Sequence, residues 1–384
     1  MHNILIGLLV SCAMLLGDGQ VQAAGVAAVS SETVTQDDAV QAEDEGSVDV
    51  KGIVFGHIGD AYEWHITTWG NVHITIPLPV IVYSETTGWH FFSSTRLEEN
   101  NGSYEGLSIA PEGSRYEGKL VEHDASGKEV RPWDFSITKV ALALILNSLL
   151  LMVIILSVAR WYRKHPVESA SPGGFIGFME MFIMMVNDDI IKSCVGPKYK
   201  KFAPYLLTAF FFIFLNNLMG LIPIFPGGAN VTGNIAITMV LAVCTFLAVN
   251  LFGTKAYWKE VFWPDVPWWL KAPVPMMPLI EFFGVFTKPF ALMIRLFANM
   301  LAGHMAMLVL TCLIFISASM GPLLNGTLTI ASVLFNIFMN ALELLVAFIQ
   351  AYVFTMLSAV FIGLAQAEHE NEGKQEERQV TKAE

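Results

Sequence analysis

The stretch Leu292-Met-Ile-Arg-Leu-Phe-Ala-Asn-Met-Leu-Ala-Gly-His-Met-Ala-Met-Leu-Val-Leu310 decides the fold class, because it is a membrane-length apolar run with Arg295 in its interior. A guanidinium at the bilayer centre costs roughly 2.5–3.5 kcal/mol on insertion scales. Arginine cannot shed that cost by losing its proton, since its pKa stays above ~12. The charge must therefore meet a partner carboxylate or a water-filled cavity. Ionisable groups inside a membrane are functional by default, and the next apolar segment supplies a second one, Glu343. The two together point to ion movement.

The composition agrees with a membrane body. The chain has 384 residues, 54% hydrophobic and only 15% charged, with a mean hydropathy of +0.53; soluble domains carry about 25% charged residues. Residues 25–135 hold 19 acidic and 6 basic residues, a balance of −13 against −12 for the whole chain. An acidic soluble segment is thus joined to a nearly neutral membrane body, which excludes nucleic acid as a partner. Cys12, Cys194, Cys244 and Cys312 lie in or beside apolar segments without metal-type spacing and read as small core residues.

Residues 1–23 read as a secretory signal peptide: an apolar stretch from Ile4 to Leu16 precedes Val21-Gln22-Ala23, although no Lys or Arg stands near Met1. Leu9-Val10-Ser11-Cys12 offers a second reading, lipidation at Cys12. Residues 24–50 form an acidic leader of flexible composition. Residues 51–135 read as a small β-rich module, in which His73–Tyr83 has strand composition and its two prolines suggest an edge. Asn101-Gly102 and Ser126-Gly127 are turn signals. Five long apolar segments then fill a membrane domain over 136–367, roughly Ile137–Ala159, Pro204–Ile222, Asn234–Gly253, Pro275–Ile316 and Thr327–Ala367, before a charged tail at 368–384. Gly173–Ile191, interrupted by Glu180, Asp188 and Asp189, reads as an amphipathic or re-entrant hairpin. The expected fold is an α-helical polytopic membrane protein with a β-rich extracytoplasmic module.

Loop charge predicts the orientation. Arg160–Lys201 carries seven basic residues and Lys255–Lys271 three, whereas Pro223–Gly233 and Ser317–Asn325 carry none. The positive-inside rule makes the basic loops cytoplasmic. The 25–135 module is then periplasmic, in agreement with a signal peptide, and the tail is cytoplasmic. The last two segments hold about 40 residues each, or ~60 Å of helix against ~30 Å of hydrocarbon. They must kink, break or tilt steeply, as helices packed along a large curved partner would. Pro289 reads as the relief of a backbone bond near the start of the first of them.

Spacing groups the polar residues. Glu281, Lys288 and Arg295 recur every seven residues, close to two helical turns, and Asn299 extends the stripe by one turn. Ala298, Ala302 and Ala306 are spaced to admit another helix close to Arg295. Snorkelling to headgroups suits Lys288 but not Arg295, which has long apolar stretches on both sides. On the final segment Asn336, Asn340, Glu343, Ala347 and Gln350 follow at alternating four- and three-residue steps and share one face, which must meet protein or water. Helix–helix hydrogen bonding alone accounts for Asn336 and Asn340. An acid at the depth of Glu343 is paired or titrating. His304 lies nine residues beyond Arg295, about 180° around an ideal helix, so it turns away from the arginine's stripe and towards the Glu343 helix. Histidine with a carboxylate is suited to relaying a proton near neutral pH.

Other chemistries lack their residues. There is no Gly-x-x-x-x-Gly-Lys-Ser/Thr phosphate loop, His-Glu-x-x-His or Cys-x-x-Cys, so neither an ATP site of that kind, a metal nor any cofactor is expected. His57, His65, His73, His90 and His123 of the module read as aromatic-rich interfacial packing rather than a metal site.

Arg295-Leu-Phe-Ala-Asn299-Met-Leu-Ala-Gly303-His304 resembles the signature of subunit a of F-type rotary ATP synthases. Glu343 with Gln350, Asn216-Asn217-Leu-Met-Gly-Leu-Ile-Pro223 and Pro289-Phe-Ala-Leu-Met-Ile-Arg295 are similar to motifs of the same family, and the resemblance covers roughly 137–367. It implies a stator subunit whose Arg295 faces the proton-carrying carboxylates of a rotating c-ring, with subunit b of the peripheral stalk as a further partner, in a bacterial inner membrane. It implies that His304, Glu343, Asn299 and Gln350 line the half-channel from the outer side and that Glu281 lines the cytoplasmic exit. Lys288, Asn340, Asn336 and Asn217 would support them. Some relatives exchange the acid and histidine positions. The module at 25–135 exceeds what the family core requires. The main rival is a self-contained proton-coupled secondary transporter, which would show internal repeats that this chain lacks. A receptor would need a cytoplasmic output domain.

Overall fold

The computed structural model describes residues 56, 58–69, 72–100, 102–111, 114–123, 129–165, 172–222, 225–263, 276–317 and 322–366. The stretches read as signal peptide and acidic leader, Cys12 and the charged tail lie outside these residues, as do Ser126-Gly127 and the side chains of His57, His65 and His73.

Among the described residues the module carries nine strands. Strands β1 (Glu63–Trp69) and β2 (Val72–Pro77) form an antiparallel hairpin. Strands β3 (Pro79–Ser84), β4 (Gly88–Ser93) and β9 (Trp133–Asp134) form a sheet ordered β4-β3-β9, with the short helix α1 (Thr95–Glu99) following β4. Strands β5 (Ser103–Tyr104), β6 (Leu107–Ile109), β7 (Leu120–His123) and β8 (Glu129–Val130) make a third sheet in sequence order. The stretch His73–Tyr83, expected as one edge strand, is two strands in different sheets. Pro77 and Pro79 each lack a ladder donor, so the chain changes partners at Leu78, whose N–H donates to Ser94 Oγ at 3.0 Å. Pro79 then sits at the first residue of a central strand, where the missing N–H is tolerated. The Asn101-Gly102 turn signal corresponds to Gly102 with φ +80°.

Tyr62, Val80, Val82, Leu97, Leu107 and Leu120 close the module's core. The Tyr62 hydroxyl donates to the Asp134 carboxylate and accepts from Leu120 N–H; burial, then the Asp134 charge, pushes its pKa up. On β1, Glu63 is held at about 7, first by burial and then by hydrogen bonding to and repulsion from Glu98. A carboxyl raised in the folded state stabilises it fully below the unfolded value of 4.5, and this contribution disappears as pH rises through about 7. The β1–β2 amides of the intact protein should therefore exchange hydrogen more slowly at pH 5 than at pH 8 once intrinsic rates are corrected. In Glu63→Gln that difference should vanish.

No free linker separates module and membrane domain. Lys139 N–H donates to Ala61 O at 2.9 Å and Val140 N–H to Asp60 Oδ1 at 3.1 Å. Trp64, 4% exposed, meets Phe225 edge-on with ring centroids 5.1 Å apart. Helix α2 (Lys139–Lys164) starts at the N-cap Thr138, whose hydroxyl accepts from Ala141 N–H, and is long and apolar enough to cross a membrane.

After α2 the chain makes a helical hairpin. Helix α3 (Gly174–Met184) runs through π turns at Met185–Lys192, and Gly196 (φ +74°) precedes helix α4 (Tyr199–Leu221). Length and composition alone make Gly174–Leu221 one 48-residue span. Phe182, however, stacks on Phe214 at 5.8 Å, whereas 32 residues of straight helix would separate them by ~48 Å. The chain therefore folds back, as Gly196 permits; Gly173–Ile191, expected to form a hairpin by itself, is instead the first arm of one whose second arm is α4. Its turn packs on the last helix: a Cβ at Gly363 would overlap the Cys194 carbonyl.

Helix α5 (Ile235–Leu251), capped by Asn234 Oδ1 on Ala236 N–H, is followed by α6 (Lys255–Phe262) at a bend of 102°. Helices α7 (Met276–Ser317) and α8 (Pro322–Gln366) hold 42 and 45 residues. Neither is interrupted, even at Pro289. Of the alternatives open to such long helices, breaking is excluded, which leaves kinking and tilt. The shared core gathers α2 through α5 against α7 and α8, with Phe210, Leu206 and Ile213 of α4 fully enclosed.

Candidate functional site

Helix α7 sorts its residues by face. Leu292, Leu296, Met300 and His304, at four-residue steps, are buried against the rest of the protein. Ala291, Arg295, Ala298, Asn299 and Ala302 are exposed. The guanidinium has no hydrogen bond or ion pair among the described residues. It therefore stands on an outer surface floored by alanines, where a neighbouring helix can approach closely. Exposed Leu334, Ile337, Phe338 and Leu345 of α8 are further large apolar groups with no cover from the chain itself.

On the buried face His304 Nδ1 and Glu343 Oε1 are 2.8 Å apart. Glu343 is 4% exposed and its Oε2 has no hydrogen-bond partner among the described residues. Gly303 makes the contact possible: a Cβ there would stand 3.1 Å from Glu343 Oε1. Gly220 of α4 borders the imidazole, where a Cβ would stand 3.7 Å from His304 Cε1, an ordinary contact distance. Gly303→Ala should push the carboxylate off His304 and slow proton flux through the membrane sector, with the sector still assembling. Passive flux in vesicles stripped of the soluble head measures this, and an undiminished rate would show that the glycine is dispensable.

The remaining polar residues of α8 divide by depth. Gln350 is buried two turns beyond Glu343, with Ala347 fully buried between them. Asn217 Nδ2 donates to Ala347 O at 3.3 Å, and Thr232 Oγ1 donates to Asn217 Oδ1 at 2.6 Å. Asn336 Nδ2 donates to Thr311 Oγ1 at 2.8 Å, tying α8 to α7, and Asn340 folds back on Asn336 O at 2.9 Å. Asn336 thus satisfies the helix–helix reading, whereas exposed Asn340 bonds within α8.

The stripe Glu281–Lys288–Arg295–Asn299 is not uniformly exposed. Each seven-residue step drifts only about 20° around a straight α-helix, yet Lys288 is half-buried beside α8 while Arg295 and Asn299 are exposed. Lys288 Nζ lies 5.9 Å from the Phe361 ring centre of α8. It lines a small cleft with Asn250, Tyr257 and Thr245. Asn250 Oδ1 there is buried without a partner among the described residues, and Glu281 interacts electrostatically with Tyr257 at the same end. Two polar regions result, one at His304–Glu343 and one at Lys288. Sixteen residues, or ~24 Å of helix rise, separate them. Arg295 sits between.

Asn230, Thr232, Asn250 and Tyr257 are members of these regions that sequence reading missed. The cluster Asn230-Val-Thr-Gly-Asn234 was a usable signal, since amides in an uncharged loop between two spans need buried partners. In the module, His90 bonds Glu105 Oε2 and Thr87 Oγ1, each at 2.7 Å, which is a packing role.

Residues 144–363 match the family described as ATP synthase A chain, and residues 53–135 match a family described only as a domain of unknown function. ATP synthase subunit a of Chlorobium phaeobacteroides strain DSM 266 is 42% identical over 62% of this chain and 68% of its own. ATP synthase subunit a 2 of Prosthecochloris aestuarii is 43% identical over 63% and 72%. ATP synthase subunit a of Chlorobium phaeobacteroides strain BS1 is 37% identical over 74% and 88%, so that likeness reaches further along this chain than the first two.

Proposed function

From the premise that this chain belongs to the ATP synthase A chain family, we propose that Arg295 gates two offset proton half-channels against the c-ring. The chain is the proton-translocating stator subunit of an F-type ATP synthase, a multi-pass protein of the bacterial inner membrane without a catalytic ATP site of its own. It works in association with the c-ring and the rest of that complex. A solitary secondary transporter is not favoured by these relatives.

The observation that carries the proposal is the placement of an unpaired, exposed guanidinium between two polar regions ~24 Å apart along one helix. Arg295 attracts a deprotonated ring carboxylate and repels a proton at that point, so the two regions exchange protons only through the turning ring. The membrane potential contributes ~2.3 kcal/mol per charge per 100 mV. His304 and Glu343, with Asn299 and Gln350, form the outer half-channel; Asn217 supports it from α4. Glu281 and Lys288 form the cytoplasmic one. The basic loops are cytoplasmic, the module at 51–135 is periplasmic after signal removal, and subunit b holds the subunit to the peripheral stalk.

A cysteine at Ala298 or Ala302, in a variant without the native cysteines, should cross-link under oxidation to cysteines on the ring's outer helices. A cysteine at buried Leu296 should not. Failure at both alanines would mean that another surface meets the ring.

A further inference from the structure

One face of the three-stranded sheet β4-β3-β9 is aromatic, exposed and free of charge, in a module that is otherwise strongly acidic. Its residues lie in cross-strand rows. Pro79 pairs with Ser93 nearest the membrane helix; Ile81 pairs with Phe91, and Phe135 N–H donates to Ile81 O; Tyr83 pairs with both Trp89 and Trp133 furthest out. Phe91 is 68% exposed, Trp133 64% and Trp89 56%. Trp89 lies 5.1 Å from Tyr83, 5.8 Å from Phe91 and 6.0 Å from Phe135, so the rings form one continuous patch. Such a patch in water is a marker of an interaction site.

The chain's own path says what covers it. Phe135 precedes the N-cap Thr138 by three residues, and Ile137 N–H donates to Pro79 O at 3.2 Å, so the sheet is hydrogen-bonded up to the first turn of α2. At ~3.3 Å per extended residue the phenylalanine row lies within about 13 Å of that turn, and the tryptophan row about 7 Å beyond it. The bilayer's interfacial zone is about 5–8 Å deep on each side. A sheet inclined over it rests its face there, with Phe towards the acyl chains and Trp and Tyr, which have a polar tip, towards the headgroups. That gradient matches the aromatic belts of membrane proteins. An uncharged face also avoids bringing carboxylates into the membrane surface.

We propose that this sheet face is a lipid-docking surface that seats the module on the headgroup zone of the adjoining leaflet. The proposal requires only that α2 crosses the membrane and is independent of the proton path. The complete ATP synthase, reconstituted in phosphatidylcholine vesicles, provides the test. Subtracting the emission of a Trp89→Phe/Trp133→Phe variant from that of the wild type isolates these two indoles from all others. With acyl-brominated phosphatidylcholine, the difference emission should lose its larger part while aqueous acrylamide quenches it weakly. Strong acrylamide quenching without bromine quenching would show a water-facing sheet and overturn the proposal. Protection from both quenchers would show a protein subunit covering the face and overturn it equally.

Discussion

Arg295→Ala should reduce ATP-driven proton pumping in inverted vesicles to background while the soluble head continues to hydrolyse ATP. The expectation follows from where the guanidinium stands. It is exposed among Ala291, Ala298 and Ala302 and bonded to nothing within the described chain, so its removal costs the fold little. A charge left in an apolar setting without an internal counter-ion is tolerated when the counter-ion comes from outside. Without it, a ring carboxylate passing between the half-channels has no reason to stay deprotonated, and rotation no longer requires net transfer. Arg295→Lys should also lose most of the coupling, because an ammonium is strongly hydrated, more mobile and able to shed its proton in apolar surroundings. ATP-driven fluorescence quenching, measured beside hydrolysis in the same vesicles, separates lost coupling from lost assembly. Coupled pumping at the wild-type rate in Arg295→Ala would remove the arginine from the gate.

Helical arithmetic made much of this site legible. Nine residues place His304 opposite Arg295, and in the structure the imidazole does meet Glu343 on the buried side while the arginine faces out. The steps from Asn336 to Gln350 likewise identify a polar row on α8, although Asn340 itself remains exposed. What sequence could not supply was tertiary cover and reversal. Lys288 points within about 20° of the arginine's direction, and its half-burial comes from Phe361 on α8, a neighbour that spacing along α7 does not reveal. The fold-back at Gly196 is invisible to hydropathy, since both arms are apolar, and only the Phe182–Phe214 stack reveals it. The module resisted for another reason. Strand composition over His73–Tyr83 is real, but partner choice is a tertiary property, and Pro77 and Pro79 divide the run between two sheets. The packing of Trp64 on Phe225 joins segments far apart in sequence, and no local pattern announces it.

The other large effect is expected at Glu343. Its Oε1 engages His304 at 2.8 Å and its Oε2 is buried without a partner, so the site holds a carboxyl with one side committed and the other available to a proton or a water. Glu343→Gln keeps the volume and can still hydrogen-bond the imidazole, but an amide cannot take up and release a proton at physiological pH. Passive proton flux through the head-stripped membrane sector, driven by a potassium diffusion potential, should fall about a hundredfold, the lower end of what a positioned proton-transfer group contributes. His304→Ala should fall less, because the carboxyl that changes its protonation remains. The double exchange His304→Glu with Glu343→His restores the same pair across the same gap and should recover flux lost in either single exchange. Unchanged flux in Glu343→Gln would place the proton path elsewhere. A double exchange no better than its parts would show that His304 and Glu343 are a structural contact between α7 and α8, bonded to each other but outside the route the proton takes.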